Sequence, residues 1–184
     1  MNRQKWLGPL LFDYADVATK EKWKLIARVM MLNAIAVPVL SIISYLVLDE
    51  KLNLISAYPQ FFYPLSRFFE FFESSALQPA VMEELFYRTA VWFFTVNTIK
   101  FYSRNKDLTS LFLWLAIIIP SAYWAIVSHP IAPPVFFAGI TWGWLVAKTK
   151  SWWPAVISHV LSNTFIFFIA KVLNLIAPQF LKNL

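Results

Sequence analysis

The apolar stretch AVMEELFYRTAVWFF contains three charged side chains in six consecutive residues: Glu83, Glu84 and Arg88. A charge at membrane depth costs about 2.5 kcal/mol or more, and membrane segments keep charges that pair with each other or do chemistry. Glu84 and Arg88 are four residues apart, so on a helix they share one face and can pair. Glu83 points about 100° away from Glu84 around the helix axis. One carboxylate can therefore be held by the arginine while its neighbour faces a cavity.

This acidic motif allows two interpretations. A desolvated carboxylate with no cation beside it is a good proton acceptor, which suits general-base catalysis. The structural alternative is an ion pair at the start of a helix, where a glutamate also offsets the helix dipole. Taken alone, the motif leaves both interpretations open.

A second polar pair, His159 and Asn163, lies in the last apolar segment of the chain. The two residues are four positions apart and share a helix face. Such a pair can stabilise an oxyanion or bind a metal ion, and it can equally form the hydrogen bonds that link membrane helices. The other histidine, His129, closes an apolar segment before Pro130. A lone histidine at that place is more often simply interfacial.

The composition indicates a membrane protein. Of the 184 residues, 59% are hydrophobic and 14% are charged, against about 25% charged in an ordinary soluble domain. The net charge is +6, but the basic residues flank apolar segments, which indicates contact with membrane lipid and no nucleic-acid partner. The absence of cysteine excludes disulfides, thiol nucleophiles and cysteine metal sites.

The apolar segments predict an all-α fold, a polytopic transmembrane helix bundle with about five spans plus interfacial helices. We expect a juxtamembrane N-terminal segment over residues 1–26 and a single transmembrane domain over residues 27–184. The aromatic-rich segment 52–79 is expected to be an interfacial or a partly inserted helix. The predicted spans are residues 27–48, 79–98, 108–127, 134–146 and 153–173.

Two of the three glycines, Gly139 and Gly143, lie four residues apart in the fourth predicted span. Small residues at this spacing allow two membrane helices to approach closely. We therefore predict helix packing through this face.

The order of the polar residues resembles that of the CPBP family of intramembrane proteases. This family includes the CAAX prenyl endopeptidases and the Abi-type bacteriocin-processing or immunity-associated relatives. Its first motif, Glu-Glu-x-x-x-Arg, is matched by Glu83, Glu84 and Arg88, and its third, His-x-x-x-Asn, by His159 and Asn163. Both of these motifs match in full.

The second motif of the family, Phe-x-x-x-His, is altered in this chain. Its histidine is present as His129, but Ala125 stands at the phenylalanine position, with Trp124 beside it. The change bears on local packing and on the substrate pocket. The resemblance as a whole covers roughly residues 79–170, the catalytic core of the family.

The resemblance implies a glutamic-type intramembrane endopeptidase that cleaves membrane-associated peptides or proteins, lipidated or not, with no metal and no cofactor. Glu83, together with the second-motif histidine, would activate the attacking water. Glu84 and Arg88 would order their helix and its charges. His159 and Asn163 would stabilise the oxyanion. The implied catalytic set is Glu83, Glu84, Arg88, His129, His159 and Asn163.

Two other functions stay open. A catalytically idle relative would keep the fold as a membrane scaffold, assembly subunit or immunity protein. A zinc-dependent membrane hydrolase would use the two histidines and a glutamate as ligands, although the His-Glu-x-x-His pattern is absent from the sequence. In each case we expect a multi-pass protein, by default of the bacterial inner membrane.

Overall fold

The computed structural model describes residues 19–48, 63–88, 106–128, 132–149 and 151–176. Within these ranges the chain is helical and contains no strand, which confirms the all-α class for this part of the protein. Residues 65–88 form one helical run, α2. The other helices are α1 (Thr19–Leu48), α3 (Lys106–Ser128), α4 (Ala132–Thr149) and α5 (Trp153–Ile176).

The first helix, α1, begins earlier than the predicted span. Its first turn contains an exposed ion pair in which Lys24 Nζ lies 2.7 Å from Glu21 Oε1, and pairs at this spacing favour helix. The expected boundary at residue 26 therefore falls inside a continuous helix. Pro38 also lies inside α1, as membrane helices tolerate.

The helical run α2 joins the aromatic-rich segment directly to the acidic motif. It starts as a 3₁₀ turn (Leu65–Arg67), continues as α-helix (Phe68–Phe71), widens into a π-helical turn (Phe72–Leu77) and returns to α-helix over residues 78–88. Phe71 is fully buried and stacks on Phe167 of α5, with ring centroids 4.5 Å apart. This contact anchors the start of α2 to α5.

Two of the described helices are long and apolar enough to cross a membrane. The qualifying segments are Lys20–Ser41 and Trp153–Val172, and a shorter apolar segment covers Leu111–Val127. The other predicted spans, and the number of about five, stay predictions.

The helix α4 lies at the centre of the packing, between α3 on one side and α1 on the other, while α5 packs against both α1 and α4. A Cβ atom added at Gly139 would lie 2.9 Å from Ser121 Cβ, and one at Gly143 would lie 2.9 Å from Ile117 Cγ2. On the α1 side, the Thr141 hydroxyl donates to Asn33 Oδ1 at 3.0 Å. The close approach of α3 and α4 brings the side chains of both helices to the acidic motif.

Candidate active site

Glu84 is the centre of a buried network that links two helices. Its side chain is 1% exposed. One oxygen, Oε2, accepts a hydrogen bond from Arg88 Nε at 3.1 Å, as the four-residue spacing predicts. The other, Oε1, lies 3.1 Å from Nδ1 of His159 on α5. Because an ionised carboxylate only accepts hydrogen bonds, Nδ1 is the donor, and the second ring nitrogen is left for other partners.

Glu83 lies on the other side of the same imidazole ring. Its Oε2 atom is 3.9 Å from His159 Nε2, and its side chain is 24% exposed against 1% for Glu84. Two neighbouring glutamates of α2 thus face the two nitrogens of one histidine. Only Glu83 combines this position with an open side.

Arg88 is fully buried and is held from three directions besides Glu84. Its Nη1 donates to Ser121 Oγ at 3.1 Å. Its Cζ lies 5.7 Å from the centre of the Trp124 ring, close enough for a cation–π contact. On the third side lies α4 at Gly139, where an added Cβ would come within 3.2 Å of Nη2. The guanidinium is therefore fixed by α3 and α4 as well as by its own helix.

Two tryptophans fix the plane of the His159 ring. Trp142 of α4 stacks on it, with centroids 3.8 Å apart and an angle of 19° between the rings. Trp124 of α3 approaches its edge, with centroids 5.9 Å apart, and also lies next to the Glu83 carboxylate. Four helices thus contribute to the surroundings of one imidazole.

The structure brings together four of the six predicted site residues: Glu83, Glu84, Arg88 and His159. Asn163 lies one turn further along α5, half-buried, and its side chain makes no hydrogen bond within the part of the chain that the structure describes. His129 lies outside the described residues, so its approach to Glu83 stays a prediction. The catalytic role of the whole set is likewise a hypothesis.

The roles of Ser121 and Trp142, and the proximity of Gly139 to Arg88, were not predicted from the sequence. Ser121 could have been found, because it is a polar residue in an apolar segment, the same signal that identified the acidic motif. Trp142 could not, since the chain has nine tryptophans and their spacing does not indicate which one meets the histidine.

The described helices enclose a buried Glu–Arg–His network, and two of them are long and apolar enough to cross a membrane. Residues 66–165, more than half of the chain, match the family described as Type II CAAX prenyl endopeptidase Rce1-like. The chain therefore belongs to the Rce1-like family of membrane-embedded proteases, which confirms the resemblance drawn from the motifs. No significant match was found among curated proteins or among solved structures.

Proposed function

We propose that this protein is an intramembrane endopeptidase of the glutamic type, which hydrolyses membrane-associated peptides or proteins, lipidated or not. One observation supports it above the others. Both oxygens of Glu84 are engaged, by Arg88 and by His159, while Glu83 faces the remaining nitrogen of the same ring at 3.9 Å and is partly exposed. This difference supports a structural role for Glu84 and a chemical role for Glu83.

In this mechanism Glu83 is the general base. Its side chain is 24% exposed and lies 3.9 Å from His159 Nε2, so a water molecule can reach the carboxylate from its open side. That water would attack the peptide carbonyl as its proton passes to the carboxylate. The family resemblance implies that His129 binds the same water. No nucleophilic side chain is required.

The proton on Glu83 must then reach the departing amine. His159 Nε2 lies near that carboxylate and would accept the proton. Glu84, which is bonded to Nδ1, would stabilise the protonated ring until it passes the proton to the amine. The Asn163 amide, one turn away and not bonded to other described residues, would donate to the oxyanion of the tetrahedral intermediate. The peptide C–N bond then breaks as the amine takes the proton.

The surroundings of the site agree with a reaction inside the membrane. We propose that the chain is a multi-pass protein of about five spans, with a bacterial inner membrane as its default location. The close approach at Gly139 and Gly143 would be the helix-packing face that places α4 against α3. A water-poor site strengthens the electrostatic contacts on which the mechanism depends.

The proposal is tested by cleavage in liposomes. The purified protein is incubated with a panel of prenylated CAAX-type peptides and unmodified leader-type peptides, and products are identified by mass spectrometry. The variant is Glu83→Gln, and Glu73→Gln is the matched control, because Glu73 is an exposed glutamate of the same helical run. We expect cleavage by the parent and the control but not by Glu83→Gln. Equal cleavage by all three would refute the glutamic mechanism, and none by the parent would favour the idle scaffold.

A further inference from the structure

Two residues outside the three motifs lie next to the terminal nitrogens of the Arg88 guanidinium. Its Nη1 donates to Ser121 Oγ at 3.1 Å, and a Cβ added at Gly139 would lie 3.2 Å from its Nη2. Ser121 and Gly139 lie on α3 and α4, so both contacts reach the arginine from outside its own helix. We call these two residues the arginine cradle.

The hydroxyl of Ser121 has a fixed direction. It donates its only hydrogen to the carbonyl oxygen of Ile117, one turn earlier in α3, at 2.7 Å. A serine hydroxyl has one hydrogen and two lone pairs, so only acceptor capacity remains on the side of Arg88. Ser121 is fully buried, so this contact with the guanidinium is shielded from bulk water.

Gly139 provides the space in which this contact forms. An added Cβ would meet Ser121 Cβ at 2.9 Å, Ser121 Oγ at 3.0 Å and Arg88 Nη2 at 3.2 Å. At Gly143, one turn further along α4, the three atoms nearest to an added Cβ all belong to Ile117. Both glycines lie where α3 and α4 approach closely, but an added side chain would be nearest to Arg88 and Ser121 at Gly139 and to Ile117 at Gly143.

We propose that Ser121 and Gly139 are positioning residues for the reaction, which act by fixing the angle of the Arg88 guanidinium. With Nη1 held by Ser121, Nε is directed at Glu84 Oε2. That leaves Oε1 to hold His159 Nδ1. Without the Ser121 hydroxyl, the Nη1 donor of the guanidinium would be buried without an acceptor. Because this is costly, the guanidinium would rotate toward another acceptor. The inference rests on the proposed peptidase function.

The first test compares Ser121→Ala with Ser44→Ala. Ser44 is also buried and also donates to the carbonyl four residues earlier, at 2.7 Å, but it lies on α1 away from the site. We expect Ser121→Ala to lower kcat by about 10- to 100-fold, the range for a lost hydrogen bond to a charged group, with KM unchanged. Ser44→Ala should retain the kcat of the parent. Equal kcat for the two variants would overturn the inference while the proposed function stands.

The second test is a double-mutant cycle with Arg88→Gln, read out as thermal unfolding in detergent because the Arg88 variant is expected to be inactive. If Ser121 acts through Arg88, Ser121→Ala changes the unfolding temperature far less in the Arg88→Gln background than in the parent. Equal changes in both backgrounds would overturn the inference. If the parent cleaves no peptide, the proposed function fails, and the unfolding cycle alone decides whether the cradle exists.

The glycines provide a third comparison. Gly139→Ala and Gly143→Ala each add one methyl group to the same helix interface. We expect Gly139→Ala to have the lower kcat at a similar loss of thermal stability, because only that methyl group displaces Arg88. Equal kcat for the two variants would contradict the part assigned to Gly139.

Discussion

Glu83 Oε2 and His159 Nε2 lie 3.9 Å apart, on the side of the imidazole opposite to the nitrogen that contacts the other glutamate. One histidine therefore separates two adjacent carboxylates of a single helix. The arrangement gives each carboxylate its own surroundings, because one is enclosed with Arg88 while the other is partly exposed. A division between a structural and a chemical glutamate follows from this geometry.

The first prediction concerns that division. Arg88→Ala leaves the buried Glu84 carboxylate without its cation, and breaking a buried pair costs about 3–5 kcal/mol. We expect a marked fall in the thermal unfolding temperature in detergent, together with loss of activity. Glu83→Gln should lose activity while unfolding at nearly the parent temperature, since Glu83 is partly exposed. Purely kinetic effects of equal size from both variants would contradict the division.

The second prediction concerns Asn163. Removing one oxyanion donor lowers kcat by about 10²–10³-fold in other enzymes, and we expect Asn163→Ala to do the same with little change in KM or in unfolding temperature. The control is Thr164→Ala, because Thr164 is the next residue of α5 and, among the described residues, its hydroxyl bonds to its own helix, at Val160 O. A large loss of stability in Asn163→Ala would indicate a structural amide instead.

The third prediction concerns the stacking of Trp142 on His159. An aromatic pair contributes about 0.5–1.5 kcal/mol beyond its buried area, so Trp142→Leu should lower kcat by about 2- to 10-fold through a less fixed ring. Trp142→Phe should retain more of the activity because it can still stack. Trp144→Phe is the matched control, since Trp144 lies on the same helix and contacts Lys148. The measurement is the steady-state cleavage rate of each of the three variants.

The fourth prediction separates the glutamic mechanism from the zinc hydrolase. Prolonged dialysis against a strong chelator should leave the cleavage rate unchanged, because the proposed base is a carboxylate and the proposed donor is an amide. Activity that disappears with the chelator and returns on addition of Zn²⁺ would overturn the mechanism. Glu83, His129 and His159 would then be the ligand set.

Contacts within one helix of the site were predictable from the sequence. Contacts between helices could be predicted only in part. The pairing of Glu84 with Arg88 follows from helical spacing alone, and the structure contains it. The approach of His159 was expected because isolated polar groups are costly in apolar sequence, but spacing could not show which nitrogen would face which glutamate. That detail depends on how α5 is rotated against α2, which only the packing determines.

Helix boundaries were harder to predict than helix existence. The charged first turn of α1 looks like a surface segment in the sequence, yet its ion pair continues the helix. The stacking partner of His159 was also beyond the sequence, because Trp142 differs from the other tryptophans only in where α4 places it. The cradle around Arg88 likewise required the distance between α3 and α4.

The π-helical turn at Phe72–Leu77 has a consequence for how the acidic motif faces α5. Phe71 and Glu84 both contact that helix, through Phe167 and His159. A regular α-helix turns by about 100° per residue, which would leave Phe71 and Glu84 about 140° apart around the axis. The wider turn rotates the chain less per residue and removes part of that angle. The direction in which the two glutamates point is therefore determined by the turn that precedes them. Gain or loss of one residue in 72–77 would turn both away from His159, although every side chain of the proposed site would still be present in the sequence.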